Sequence, residues 1–350
     1  MQEQPSIRSL AKIAGVSSAT VSMALRNHPK ISPPVRHRIQ QLAAREGYTQ
    51  NPVVANLLTQ LRLNKTIPHQ STLGMLFLGG SAELLKSSPT FRDWIAGSQT
   101  RAKTLGYSLD QFLLNDTISP SRLAKILEAR RIKGLIVFGI FEGNAIPREF
   151  DLLWTNYAAT VIGTHSVRPA LSWVSNDQFS TAAYALEETY KLGYRRPALC
   201  LNADIDARVD NRFAGGFHIA HSKLNLTSRI PVFSLDGEAK GRFGKWLKKH
   251  RPDVILTIHP EIKEWAESFG IRAPRDIGLV NLDNTADSSW AGMIQNNQNI
   301  GSAAVDAVVA QINRNEIGIP PFQKCILISS AWIPGKTVQK QRAAAKTATA

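Results

Sequence analysis

The chain has 350 residues, of which 43% are hydrophobic and 20% charged. This composition is typical of a globular protein with two or three folding units, and it excludes a disordered chain. No apolar stretch reaches the length of a membrane span, and the amino terminus lacks the apolar core of a secretion signal, so we expect a cytoplasmic protein. Cys200 and Cys325 both lie in apolar runs, which predicts buried thiols rather than a disulfide.

The formal net charge of +15 is concentrated at the two ends of the chain. Residues 1–66 contain nine Lys or Arg against two acidic residues, and residues 336–350 add four Lys or Arg without an acid. The long middle part is therefore nearly balanced. We call residues 1–66 the head and the long middle part the body. A basic head on a near-neutral body predicts that the head is attracted to phosphate groups, which raises affinity for nucleic acid without selecting a sequence.

Two short helices joined by a glycine turn are predicted over residues 7–27. Leu10, Ile13 and Ala14 recur at helical spacing, and Gly15 then permits a sharp turn. Ser17 is placed to cap the second helix. The apolar residues of this second helix that are expected to face inward are Val21, Ala24 and Leu25.

The opposite face of the second helix carries short side chains. Such a face lets a helix approach the floor of the DNA major groove, while polar and basic groups at its end contact the backbone. The predicted DNA contacts on this helix are Ser17, Ser18, Ala19, Thr20, Ser22, Met23, Arg26 and Asn27. An ordinary helical hairpin with a small-residue surface is the alternative interpretation.

A third helix is predicted over residues 35–46, after Pro33 and Pro34 and before Gly47. Its expected inward residues are Val35, Ile39, Leu42 and Ala43. The next segment begins at Pro52 and is rich in leucine and valine, which predicts a hinge helix. Leu57 or Leu58 could wedge between base pairs in the minor groove, although a linker helix packed on its own domain is equally compatible with the pattern.

From residue 72 the chain alternates between short apolar runs and amphipathic helical stretches. The predicted strands, each expected to be buried on both faces, cover residues 72–80, 107–115, 133–140, 158–164, 196–202, 252–258 and 277–283. The predicted helices cover residues 90–105, 119–132, 178–192, 212–224, 240–250, 260–269 and 299–315. This alternation predicts two doubly wound parallel subdomains with a cleft between them, and ligands of such folds lie at the carboxyl ends of the strands.

An ordered series of motifs runs through nearly the whole chain. The head contains AKIAGVSSATVS (residues 11–22), EGY (46–48) and NPVVANL (51–57). The body contains KLGYRRPAL (191–199), WLKKHRPDVILT (246–257), APRDIGLVNLD (273–283) and WIPGKTV (332–338). In this order the motifs resemble those of the lactose and galactose repressor (LacI/GalR) family of bacterial transcriptional regulators.

The resemblance implies four regions. They are a helix-turn-helix DNA-binding domain at residues 1–50, a hinge helix and linker at 51–71, an effector and dimerisation domain of two α/β lobes, similar to periplasmic binding proteins, at 72–336, and a basic flexible tail at 337–350. The implied function is sequence-specific DNA binding, expected to be repression, by a homodimer on a pseudo-palindromic operator. A small ligand, a sugar or related metabolite, would bind between the lobes and change operator affinity in either direction. No cofactor and no membrane partner are implied.

The resemblance also points to effector-binding residues. In the implied site, polar groups form hydrogen bonds with the ligand and aromatic rings line the pocket. They are Phe91, Asp177, Arg212, Asp283, Trp290 and Gln295. For Asp283, a structural cap at a strand end is the alternative role. The sequence departs from the family pattern at Pro52 and Ala55 in the hinge, and at Met23, whose thioether favours contacts with thymine methyl groups.

Other classes of function fit the sequence less well. An enzyme is not expected, because the chain has no GxSxG elbow, P-loop, GxGxxG after the first strand or paired-cysteine site. The pair His218 and His221 is not expected to bind a metal. A secreted solute-binding protein would lack the basic head. A ligand-independent or non-specific DNA-binding protein with a vestigial sugar-binding-like domain remains the alternative.

Overall fold

A computed structural model describes residues 6–25, 27–46, 48, 71–78, 82–114, 118–139 and 142–341. The predicted hinge helix with Leu57, the predicted backbone contact Arg26 and the tail beyond residue 341 lie outside these residues. The chain divides into two compact units. The first falls within residues 1–162, 166–172 and 301–324, and the second within 163–165, 173–300 and 325–350.

Three helices form the amino-terminal head of the first unit: α1 (Ile7–Ala14), α2 (Ser18–Leu25) and α3 (Pro33–Arg45). Gly15 ends α1 with φ +67°, a left-handed conformation that glycine adopts without strain. Leu10, Val21 and Ile39 are almost fully buried and pack together as the centre of the head core. The predicted helix pair and its inward residues on α2 are therefore confirmed.

The rest of the first unit contributes most of a six-stranded sheet with the order β11-β5-β4-β3-β1-β2. Its strands are β1 (Ser71–Leu78), β2 (Tyr107–Leu114), β3 (Gly134–Gly139), β4 (Ala158–Ile162), β5 (Ser172–Asn176) and β11 (Cys325–Ile328). Its helices are α4 (Ala82–Ser87), α5 (Pro89–Thr104), α6 (Pro120–Ala129) and α7 (Asp151–Trp154). The pairs β1–β2, β1–β3, β3–β4 and β5–β11 are parallel.

The second unit contains a sheet with the order β12-β10-β9-β8-β6-β7. Its strands are β6 (Pro197–Leu201), β7 (Phe233–Ser234), β8 (Val254–Thr257), β9 (Gly278–Asn281), β10 (Ala291–Ile294) and β12 (Ala331–Ile333). Its helices are α8 (Gln178–Lys191), α9 (Ala203–Arg208), α10 (Arg212–Lys223), α11 (Ala239–His250) and α12 (Glu261–Ser268). Helix α13 (Asn297–Arg314) begins in the second unit and continues into the first.

Both faces of the second sheet are covered by apolar side chains. Alternate residues of its strands enter two separate cores: Leu199 and Leu256 belong to one, and Ala198 and Ile255 belong to the other. Parallel sheets need helices on both faces, and their strands are continuous apolar runs for this reason. The predicted class, a helical head followed by two α/β subdomains, is therefore confirmed.

Four expectations are wrong in detail. Ile13 is 55% exposed, because Leu10 and Ala11 rather than Ile13 form the inner face of α1. Strand β2 is buried only in part, because it is an edge strand of its sheet. Cys325 is exposed on the edge strand β11, unlike buried Cys200. Strand β12 runs antiparallel to β10, which the alternating pattern does not predict.

Among the described residues, no helix combines the length and the apolar character that crossing a bilayer requires.

Candidate nucleic-acid interface and ligand site

The outer face of α2 is built from small side chains. Ser18 and Ala19 are exposed, whereas Thr20, Ser22 and Met23 are exposed in part. Met23 also packs against the head core, so its side chain contributes to the stability of the head as well as to its surface. The freely accessible part of the predicted DNA-contacting set is therefore centred on Ser18 and Ala19.

The first turn of α2 is fixed by side-chain hydrogen bonds. The Thr20 amide donates to Ser17 Oγ at 3.1 Å, and the two side-chain hydroxyl oxygens lie 2.9 Å apart. Ser17 therefore caps α2, as its position before the helix predicts. The same bonds leave the exposed Ser17 hydroxyl near the amino end of the helix, where backbone N–H groups favour a phosphate oxygen.

Asn27 follows α2 in a left-handed conformation with φ +57°. Its side-chain oxygen accepts a hydrogen bond from Gln40 Nε2 at 2.8 Å, which ties the end of α2 to α3. Its backbone carbonyl accepts a hydrogen bond from the Asn315 side chain. Asn27 thus has a clear structural role beside its predicted contact with the DNA backbone.

In the second unit, polar side chains follow several strands at the carboxyl edge of the sheet. Asp283 follows β9, where its Oδ1 accepts a hydrogen bond from Asn297 Nδ2 at 3.1 Å. Gln295 follows β10 and is almost fully buried, and its Nε2 donates to the Leu282 carbonyl at 2.9 Å. Gln295 thus contacts the backbone of the residue that precedes Asp283. The structure therefore places Asp283 and Gln295 at the same edge of the sheet.

Asp177 and Arg212 form a second group. Asp177 caps α8, accepting a hydrogen bond from the Ser180 amide at 3.2 Å. The Arg212 guanidinium lies over the Trp173 ring, 5.0 Å from its centroid. Both charges act on Cys325: burial raises the pKa of this thiol, Arg212 lowers it and Asp177 raises it. The charges of Arg212 and Asp177 therefore oppose each other at this thiol.

Arg212 is held in place by a chain of charged and aromatic neighbours. Its Nε lies 3.8 Å from Asp210 Oδ2, and the same carboxylate oxygen lies 3.2 Å from His165 Nδ1. The stacked ring and the carboxylate restrict the rotamers of the guanidinium, which is one quarter exposed. A partly exposed, oriented guanidinium can donate paired hydrogen bonds to the hydroxyl or carboxylate oxygens of a ligand.

The two aromatic residues of the predicted set lie elsewhere. Trp290 is 8% exposed and packs in the core with Cys200 and Leu279, immediately before β10. The start of a parallel strand is opposite to its carboxyl end, so Trp290 is not brought to the edge that carries Asp283 and Gln295. Phe91 belongs to the first unit, near the start of α5, where its ring meets the Trp94 ring edge-on.

Comparisons with known proteins agree with this organisation. The family model described as bacterial regulatory proteins, lacI family, matches residues 6–51, the helical head. Catabolite control protein A of Staphylococcus xylosus is 22% identical over 332 residues, covering 90% of this chain and 94% of that protein. The HTH-type transcriptional repressor PurR of Aliivibrio salmonicida is 21% identical over 324 residues, covering 87% and 92%.

The helical head thus matches the lacI family of bacterial regulatory proteins, and nearly the whole chain is similar to transcriptional regulators. The match at residues 6–51 indicates a DNA-binding regulatory head of the helix-turn-helix type. Two solved structures show the same fold along the chain. The lac repressor dimer bound to operator and the anti-inducer ONPF has a TM-score of 0.58 at 18% identity, covering 96% of this chain and all of that one. A CelR–cellobiose complex has a TM-score of 0.59 at 14% identity, covering 95% and 99%.

Sequence reasoning missed several residues that lie beside members of the predicted ligand site. His259 follows β8, and its Nε2 accepts a hydrogen bond from the Asn202 amide at 3.3 Å. Its Nδ1 lies 3.3 Å from Glu261 Oε1. Burial lowers the pKa of His259, although Glu261 opposes the shift. The sequence signal that could have found His259 is its place directly after the predicted strand at residues 252–258.

Trp173 and His165 were missed for a different reason. Trp173 lies in β5, whose sequence SWVSN contains too many polar residues for a pattern of buried apolar strands. His165 lies in a loop, and only the fold brings it within 3.2 Å of Asp210. The orientation of Arg212 thus depends on residues that are distant in sequence.

Proposed function

We propose that α2 is the recognition helix of this regulator and that it enters the major groove of operator DNA. The observation that carries the proposal is the exposed, small-residue face of α2 at Ser18 and Ala19, on a head whose residues 6–48 contain seven Lys or Arg and one acidic residue. Thr20, Ser22 and Met23 complete the base-facing set, while Ser17, Arg26 and Asn27 contact the DNA backbone.

The regulator acts as a homodimer that places two recognition helices on a pseudo-palindromic site. A two-fold symmetric protein matches a two-fold symmetric operator, with half-sites separated by about one helical turn. In this proposal Leu57 wedges into the minor groove at the centre of the site. The relative named as a repressor and the solved dimer on operator support this arrangement. Because its proposed target is DNA, the regulator acts in the cytoplasm. The proposal assigns no catalytic role to the chain.

Substitution of Ser18 tests the recognition helix. In vitro selection from a pool of random duplexes first defines the preferred site of the wild type. Ser18→Ala should then change the preference at one base position by about 1–3 kcal/mol, because a base-edge contact is lost. Ser32→Ala is the matched control, because Ser32 precedes α3 without a side-chain capping bond. An unchanged site ranking for Ser18→Ala would contradict the assignment.

We further propose that Asp177, Arg212, Asp283 and Gln295 bind a small hydroxylated ligand, a sugar or related metabolite. Carboxylates accept hydrogen bonds from paired hydroxyl groups, and the oriented Arg212 guanidinium donates to ligand oxygens. Phe91 stays in the proposal as an apolar wall, whereas Trp290 leaves it, because Trp290 lies at the amino end of its strand and packs in the core. The similar CelR structure is a complex with cellobiose, which supports this class of ligand.

Thermal-shift screening with sugars, sugar acids and nucleobases tests the ligand site. A ligand specific for the native state stabilises the fold by about 2.7 kcal/mol at a concentration of one hundred times its Kd. Arg212→Gln should abolish the shift, whereas Arg229→Gln, an exposed arginine of the same unit, should keep it. A ligand whose shift survives in Arg212→Gln binds elsewhere and contradicts the proposed site.

A further inference from the structure

A cavity of about 570 Å³ lies in the first unit, outside the predicted ligand site. Part of its lining belongs to the helical head, namely Asn27, Pro29 and Arg36. The rest belongs mainly to the end of α13 and the segment between α13 and β11. Its volume is within the range of small-molecule sites, about 300–1,000 Å³.

One wall of the cavity is unusually apolar for a surface. Ile317, Ile319 and Phe322 are 39%, 50% and 81% exposed, and Pro320 and Pro321 lie between them. Covering such side chains removes apolar area from water, which favours binding of an apolar group. The wall therefore fits the hydrocarbon or aromatic part of a ligand.

The polar part of the lining favours an anion. The Arg36 Nη2 donates to the Ile31 carbonyl at 3.0 Å, but the Arg36 Nε is buried and has no hydrogen-bond partner among the described residues. A buried donor without an acceptor is costly, and a ligand oxygen would satisfy it.

Lys324 supplies a second cation. Its Nζ lies 3.1 Å from Glu316 Oε2, but the same carboxylate is also bound by Arg314 at 2.7 and 3.1 Å. Glu316 is thus already balanced by Arg314, and Arg36 and Lys324 remain in excess around the cavity. The lining combines two cationic side chains with an apolar wall.

We propose that this cavity binds a small amphipathic monocarboxylate. Its carboxylate lies at Arg36 and Lys324, and its apolar part covers Ile317, Ile319 and Phe322. Because Arg36 belongs to the head and Lys324 to the sheet-bearing part of the unit, the ligand holds the two together. The hydrogen bond from the Asn315 side chain to the Asn27 carbonyl lies at the same junction. The proposal goes beyond the DNA-binding function and does not depend on it.

Isothermal titration of the full-length chain with decanoate tests the proposal, with 1-decanol as the neutral control. Decanoate should bind saturably with one site per chain, and decanol at least about tenfold more weakly, because charged hydrogen bonds are lost. Lys324→Met and Arg36→Gln should each weaken decanoate binding by about tenfold or more. Phe322→Ser should weaken both probes, and its high exposure makes unfolding by this change unexpected.

Matched controls keep the result interpretable. Lys248→Met removes an exposed lysine of α11, and Arg8→Gln removes an exposed arginine of α1; both should bind decanoate as the wild type does. If Arg36→Gln unfolds the head, Pro29→Ser replaces it as the head variant and should weaken binding. Equal affinity for decanoate and decanol would overturn the proposal. Unchanged decanoate binding in the Arg36 or Pro29 variant would also overturn it, because the cavity would then not include the head.

Discussion

Replacement of Asp206 is expected to destabilise the second unit and to disturb Arg212. Asp206 is 5% exposed, and its two carboxylate oxygens accept hydrogen bonds from the backbone amides of Phe213 and Ala214 at 3.1 and 3.2 Å. These amides belong to the first turn of α10, where backbone N–H groups find no acceptor within the helix. Asp206 therefore caps the helix that begins with Arg212.

The size of the effect follows from the two bonds. Each buried amide that loses its acceptor costs about 1–3 kcal/mol, so Asp206→Ala should lower the free energy of unfolding by roughly 2–4 kcal/mol after partial solvation of the exposed turn. Asp206→Asn keeps one acceptor oxygen and should lose about half as much. Urea unfolding followed by circular dichroism measures both. Asp204→Ala is the matched control, because Asp204 is an exposed carboxylate of the same short helix.

The pH dependence gives a second test of Asp206. Burial raises the pKa of this carboxyl group, and the two backbone hydrogen bonds oppose the shift. The folded state therefore binds the proton more tightly than the unfolded state, so the contribution of Asp206 to stability is larger at acid pH and decreases as pH rises through the folded-state pKa. Asp206→Ala should remove this slope. Stability equal to that of Asp204→Ala across the pH range would refute the capping role.

Three further predictions concern other residues. Burial lowers the pKa of His259, so the folded state disfavours its proton and stability should fall as pH decreases below 6.5; His259→Gln should flatten that slope in urea unfolding. Gly216→Ala should cost several kcal/mol, because its Cβ would lie 2.0 Å from the Phe179 carbonyl oxygen, and thermal unfolding measures the loss. Gly15→Ala should destabilise the head by about 1 kcal/mol through its positive φ, as measured by hydrogen exchange of α1 and α2.

A matched control accompanies the change at Gly216. Gly215→Ala should be nearly neutral, because its Cβ would meet the Phe179 ring at an ordinary 3.6 Å. Equal losses of stability for Gly215→Ala and Gly216→Ala would contradict the steric argument at Gly216. A pH slope that persists in His259→Gln would contradict the role of His259. Unchanged hydrogen-exchange protection of the head in Gly15→Ala would contradict the argument from its positive φ.

The sequence predicts the elements whose local signals are strong. Gly15 and Ser17 mark the turn and the cap of the head, and continuous apolar runs mark strands such as β6 and β8. Strand β5 was missed because Ser172 and Asn176 are polar, although both are buried by the fold. Strand β10 was missed because it is only four residues long and its loop from β9 carries no helix.

The candidate ligand site was predictable only in part. Asp283 lies at the end of a predicted strand, a position that sequence can identify. Gln295 follows β10 and Trp290 precedes it, and the sequence did not predict this strand. The support of Arg212 by Trp173, Asp210 and His165 depends on tertiary contacts. Similarly, a helical pattern at Ile13 does not show which face of a short helix packs, and the structure places that side chain outward.

The specificity ratio of DNA binding tests the central claim most directly. Fluorescence anisotropy of the full-length chain, at fixed salt, compares the duplex obtained by selection with a shuffled duplex of the same composition. We expect a preference of at least about 10³-fold for the selected duplex, as specific regulators show. Equal affinity for the two duplexes, at every salt concentration and with or without candidate ligands, would contradict sequence-specific recognition by the head.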